Sequence, residues 1–203
     1  MTTDVDDEAD ALIKYLNESH PLSKEVIDRG KKEIFKIAVR KNEILTNLSG
    51  CNGDCLFFIV KGLVRAFILD EGKDITAWLI DENHLIGQIR NPGTCITTYQ
   101  EQYQALENSI LLILPYRFID EIYVQYPETN ILARKLLAVH YHMSQERSIL
   151  SRIPSAEIRY KQFKIGYPTI KSRVPLKFLA SYLGIRIETL SRLRKKEKRQ
   201  EKT

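Results

Sequence analysis

The side chains best placed to do chemistry lie near the C-terminus. Glu188, Ser191, Arg192 and Lys195 recur at intervals of three and four, the spacing that brings side chains to one face of an α-helix. On such a face an arginine can fork onto guanine O6 and N7, and a glutamate can accept from cytosine N4. Leu179, Leu183, Ile185, Leu190 and Leu193 supply an inner apolar face for a pair of short helices, Ala180 lets them approach closely, and Gly184 supplies a tight turn. Solvated charges on a helical hairpin are the bland alternative. Because turn glycine, small alanine and polar outer face agree in register, reading of duplex DNA by a helix over 187–196 is favoured.

Charge points the same way. Residues 151–203 hold fifteen Lys+Arg against four Asp+Glu, a net +11, while the whole chain carries only +5, so residues 1–150 are at −6. A basic surplus confined to one short segment is the electrostatic footprint of phosphate contact, although charge alone leaves a solvated tail equally open. Arg186, Arg194, Lys195 and Lys196 are the candidates for backbone phosphates, with Lys198 and Arg199 further out.

Other chemistries find less support. Cys51, Cys55 and Cys95 are an odd number of thiols, expected reduced, and too few for a four-thiolate cluster. His140 and His142 stand two apart and point in different directions on a helix, and His20 and His84 stand alone, so no metal and no cofactor is expected. No GxGxxG, GxxxxGK[ST] or HExxH pattern occurs, and an enzyme is not expected. There is no long apolar run, and the first ten residues include Asp4, Asp6, Asp7, Glu8 and Asp10 without a Lys or Arg, the opposite of a signal peptide. A cytoplasmic protein with no membrane partner is expected.

The elements that must position these residues follow from apolar periodicity. Leu12, Ile13, Leu16, Val26, Ile27, Ile34 and Ile37 predict short helices over 8–38, broken by the turn at His20-Pro21-Leu22-Ser23. From Glu43 to Leu114 short β-rich runs take over, at 56–60, 63–69, 75–80, 99–106 and 110–114, punctuated by Gly53, Gly62, Gly72, Asn83 and Gly87. That pattern predicts a roll or barrel. A stretch without Gly or Pro over 128–152 predicts one long helix, in which Leu132, Leu136, Val139, Met143 and Leu150 follow the spacing of a coiled-coil seam. The same stripe could instead pack on its own domain, but a helix joining a β domain to a basic domain favours a homodimer. Pro154-Ser155 marks the boundary, 155–165 reads as a helix and 166–174 as a turn-rich connection. The expected fold class is α+β, divided at 1–127, 128–153 and 154–203.

Glu188-Thr189-Leu190-Ser191-Arg192 after Tyr182-Leu183-Gly184, with Ser155-Ala156-Glu157-Ile158-Arg159-Tyr160 upstream, resembles the cyclic AMP receptor protein/FNR superfamily of transcription regulators. The resemblance spans nearly the whole chain. It implies a cyclic-nucleotide-binding-like jelly roll, a dimerisation helix and a winged-type helix-turn-helix, with Glu188, Ser191 and Arg192 reading bases on a palindromic duplex. It adds RNA polymerase as a further candidate partner and leaves open whether a small-molecule effector exists. Two departures stand out: Arg186 occupies a position where relatives often carry a capping Ser or Thr, and little sequence remains after Arg194 for a C-terminal wing. In cyclic-nucleotide-binding relatives a Gly-Glu pair and a later Arg-Ser/Thr-Ala segment hold the ribose and phosphate. The comparable residues here are Gly87, Gln88, Tyr99 and Gln100, so the pocket is degenerate and cyclic AMP binding is not expected. Arg90 lies too near Gly87 to replace the missing arginine, and Glu101 would repel a phosphate if it faced the pocket. A β-roll interaction module with a non-specific nucleic-acid-binding tail is the alternative reading.

Overall fold

A computed structural model describes residues 6–45, 55–87 and 99–200. Helix α1 (Asp6–Ser19) is followed by α2 (Lys24–Glu33), which starts at Ser23, whose hydroxyl accepts from the Val26 amide. The helical spacing expected to reach residue 38 stops at Glu33. Ile37 instead lies in strand β1 (Phe35–Val39), which pairs antiparallel with residues 109–113. Ladder bonds to a distant strand override the local period here, and Val39 enters the core between the sheets while Ile34 joins the cluster under α1.

Strands β2 (Cys55–Lys61), β3 (Val64–Asp70), β4 (Lys73–Ile80), β5 (Leu85–Ile86), β6 (Gln102–Ala105) and β7 (Ser109–Pro115) complete the β region. They form a four-stranded sheet in the order β1-β7-β2-β5 and a three-stranded sheet in the order β4-β3-β6, with antiparallel pairing throughout. The core between them includes Phe57, Ile59, Val64, Ala66, Trp78, Tyr103, Leu111 and Ile113. Gly62 turns β2 into β3 at φ +118°, and a Cβ there would lie 2.1 Å from the Ser109 hydroxyl, so no other residue fits. Asn83 also takes a positive φ, as its type suggests. The run expected over 99–106 is shorter in the fold, because Tyr99 and Gln100 precede the paired residues of β6.

Helix α3 (Tyr116–Gln125) leads into α4 (Pro127–Arg152), 26 residues with proline in the first turn. The stripe on α4 divides. Leu132 is only 7% exposed, beside Leu12 and Ile119 of α1 and α3; Met143 packs against the inter-sheet core and Leu150 against the C-terminal core. Leu136 is half-buried and Val139 exposed, and α4 also exposes Ile131, Leu137, Tyr141 and Ile149.

Ser155 then caps α5 (Ala156–Gly166), its hydroxyl accepting from the Ile158 amide at 3.3 Å. Helices α6 (Leu176–Tyr182) and α7 (Ile187–Gln200) close the chain. Among the described residues no strand follows β7 and α7 runs to Gln200, in keeping with the little sequence left after Arg194 for a wing. Residues 167–174 form the expected turn-rich connection, closing on themselves through hydrogen bonds such as Val174 N–H to the Ile170 carbonyl. Phe163, Ile170, Val174, Leu179, Leu183 and Leu190 pack with Leu63, Leu79 and Leu106 of the β region in one cluster, each such burial contributing about 1.5–3 kcal/mol.

Candidate nucleic-acid interface

Helix α6 ends in a paired C-terminal cap that sets the direction of α7. Gly184 adopts φ +60°, its amide donates to the Ser181 carbonyl, and the Ile185 amide donates to the Ala180 carbonyl, each at 3.0 Å. This six-to-one, five-to-two pair is the Schellman arrangement, which needs a left-handed residue where glycine stands. From α5, the Arg159 guanidinium donates to the carbonyls of Leu183 at 2.7 Å and Gly184 at 3.2 Å. The turn is therefore held from both sides.

Helix α7 starts with the Arg186 carbonyl accepting from Leu190, and the arginine side chain itself is exposed. Leu190 is fully buried and Leu193 half-buried, so the inward face is anchored. Glu188 and Arg192 are exposed and Ser191 is half-buried beside them, one helical turn covering all three. The basic residues separate by surroundings. Arg186 and Lys195 are exposed, whereas Arg194 donates to the Lys171 carbonyl at 3.2 Å and Lys196 pairs with Glu157 at 2.9 Å. Further along α7, Glu197 pairs with Lys164 and accepts from the Tyr160 hydroxyl, fastening its C-terminal half to α5.

A cleft of about 510 Å³ lies where the roll meets α4. Gly87 and Tyr99 line it, Gln100 is exposed outside it, and Gln88 lies beyond the described residues, as do Arg90, Cys51 and Cys95. Glu101 does face the cleft and accepts from the Tyr103 hydroxyl at 3.3 Å. Burial, with Glu101 adding to it, pushes the Tyr103 hydroxyl well above its ordinary pKa. A guanidinium is present after all, but it comes from α4: Arg147 lies 4.4 Å over the Trp78 ring, and its Nη1 donates to the Ala77 carbonyl at 2.5 Å. His140 stacks on the same indole at 4.9 Å, and burial holds its pKa below the ordinary histidine value. The signal for this site was in the sequence as His140, Ser144 and Arg147, spaced by four and three on one face of α4 and all lining the cleft. His142 points elsewhere, as the spacing required.

No family model matches the chain. Electron transport regulator A of Shewanella oneidensis is 26% identical over 152 residues, which span 68% of this chain and 59% of that relative. Among solved structures, a protein described as a transcriptional regulator of the Crp/Fnr family from Eubacterium rectale superposes with a TM-score of 0.68 at 18% identity, covering 90% of this chain and 85% of the other. A CooA variant from Carboxydothermus hydrogenoformans gives 0.65 at 18% identity over 93% and 84%. FixK2 from Bradyrhizobium japonicum gives 0.67 at 16% identity over 82% and 85%. At these identities the likeness defines the fold: the chain is built as Crp/Fnr-type regulators are built, from a cyclic-nucleotide-binding-like β-roll and a helical C-terminal part.

Proposed function

We propose that this chain is a homodimeric Crp/Fnr-type transcription regulator, cytoplasmic, in which residues 1–127 form the sensor-like roll, 128–153 the dimerisation helix and 154–203 a helix-turn-helix DNA-binding domain. The observation that carries the reading is the outer face of α7: Glu188, Ser191 and Arg192 stand together on a helix whose entry turn is locked by Gly184 and Arg159. In this reading α7 enters the major groove, where Arg192 and Glu188 have the donors and acceptors to discriminate base edges. Arg186 and Lys195 contact phosphates directly, while Arg194 and Lys196 reach them after giving up the contacts they make to Lys171 and Glu157.

The dimer would form along the exposed side of α4, through Val139 of the expected seam together with Ile149, which lies ten residues on at seam spacing. A closed two-fold dimer implies a palindromic duplex. The cleft at Gly87, Tyr99, Glu101 and Arg147 is read as an effector site that no longer suits cyclic AMP, since a carboxylate lines it where a phosphate would sit beside a guanidinium. Selection of bound duplexes from a random pool tests the reading. Recovery of a two-fold-symmetric sequence supports it, and absence of enrichment contradicts it in favour of a non-specific basic tail.

A further inference from the structure

We infer that strand β4 is a coupling element which joins the α4 cleft to helix α6, with Arg65 as the positioning residue that holds strand and helix in contact. This inference does not depend on whether α7 reads DNA.

Strand β4 is an edge strand, so one of its sides lacks a β partner. Helix α6 takes that side. The Thr76 amide donates to the Ser181 hydroxyl at 2.9 Å, and the hydroxyl donates in turn to the Asp74 carbonyl at 3.4 Å, so one α6 side chain substitutes for a missing strand. Beneath this contact Arg65 of β3 is 2% exposed, an unusual place for a guanidinium unless every donor is used. Its Nη atoms bind the Asp74 carboxylate at 2.5 and 2.6 Å, Nη1 also reaches the Thr76 hydroxyl at 3.1 Å, and Nε donates to Gln104 at 2.8 Å. Its planar face lies 3.8 Å from the centre of the Phe178 ring of α6 and 4.2 Å from that of Phe67. Arg65 thus fixes the strand by hydrogen bonds and the helix by stacking.

The next residues of the same strand face the cleft. The β3–β4 register shifts between Ala66 and Phe67, pairing them with Trp78 and Thr76 and leaving Ala77 as the extra residue of a β-bulge. The Ala77 carbonyl accepts from Arg147, and the Trp78 indole carries Arg147 and His140. Between Ser181 on α6 and Arg147 on α4 there are therefore only Thr76 and the bulged Ala77. A change in how Arg147 or His140 meets the indole must move a bulge whose preceding amide is the α6 attachment point, because packed elements shift together.

Trp78 is the single tryptophan, so its emission reports the cleft side of β4 without labelling. The experiment uses the full chain with Ser181→Ala and, separately, Phe178→Leu, neither of which lines the cleft. Emission maximum and iodide quenching of Trp78 are recorded together with amide exchange at Ala77 and Trp78. Coupling predicts an altered Trp78 signal in both variants, and about fivefold faster exchange at these amides in Ser181→Ala, the change corresponding to one ordinary hydrogen bond. In the opposite direction, Arg147→Gln should speed exchange in α6. Far-ultraviolet circular dichroism establishes that each variant is folded, and the mild Ser181→Ala substitution leaves the Arg65 ion pair intact if Phe178→Leu does not fold. Unchanged Trp78 emission, quenching and exchange in folded Ser181→Ala would overturn the inference.

Discussion

Arg159 donates to the Leu183 carbonyl at 2.7 Å, so a side chain from α5 completes the C-terminal cap of α6. The bond is charge-assisted and partly shielded from water, and it joins residues 24 apart in sequence across the turn that aims α7.

Arg159→Met keeps the aliphatic stem and removes the donors, so it should destabilise the fold by about 1.5–3 kcal/mol. Gly184→Ala places a Cβ at φ +60° and should cost about 1–2 kcal/mol. Urea unfolding followed by circular dichroism measures both. Parent-like midpoints would mean that the turn does not depend on this cap.

The two sides of α4 should respond differently to substitution. Leu132→Ala empties a site buried by the chain itself and should lower stability by about 2–5 kcal/mol whatever the oligomeric state. Val139→Asp combined with Ile149→Asp changes exposed residues and should yield a folded monomer in sedimentation. A parent protein that is already monomeric at micromolar concentration would contradict the dimer.

Acid should loosen the hold of the 167–174 segment on the roll. Arg173 pairs with Glu82 and Glu107, and its guanidinium holds the Glu82 carboxyl at about 2, below its ordinary value of 4.5. Because the folded state binds this proton less readily than the unfolded state, the contribution is complete above about 4.5 and is lost as pH falls towards 2. Glu82→Gln should therefore flatten the stability profile in that window. A parent-like slope there would show that other carboxylates govern acid unfolding.

Millimolar cyclic AMP should leave the melting temperature unchanged, since stabilisation grows with the logarithm of ligand concentration over dissociation constant. Glu101 in the cleft is the reason. A saturable rise in melting temperature would show that the degenerate pocket still accepts the nucleotide.

What the sequence disclosed were features with local causes. The outer face of α7, the α6–α7 turn at Gly184 and the long α4 helix each follow from spacing within a few residues. Features that depend on a distant partner were hidden. Nothing near Phe35–Val39 announces that β7 will turn it into a strand, and Arg65 within Val64–Asp70 looks like an ordinary outward polar residue until α6, more than a hundred residues later, covers it. Arg147 falls inside the helix expected over 128–152, and its partner Ala77 lies 70 positions away, so its place as the cleft's guanidinium needs the fold. The seam on α4 reads in the sequence as one stripe, whereas packing by α1, α3 and both cores divides it into covered and exposed parts.

Sequence-specific reading of DNA by α7 is the central claim, and competition binding of the parent and Arg192→Ala to selected and random duplexes at several salt concentrations tests it most directly. The account predicts that Arg192→Ala loses about 1–3 kcal/mol on the selected duplex and much less on random DNA. Lys195→Gln, at an exposed position further along the helix, should weaken both alike and flatten the salt dependence. Equal affinity of the parent for selected and random duplexes, or equal losses on both for Arg192→Ala, would contradict the claim and leave only attraction between a basic segment and phosphates.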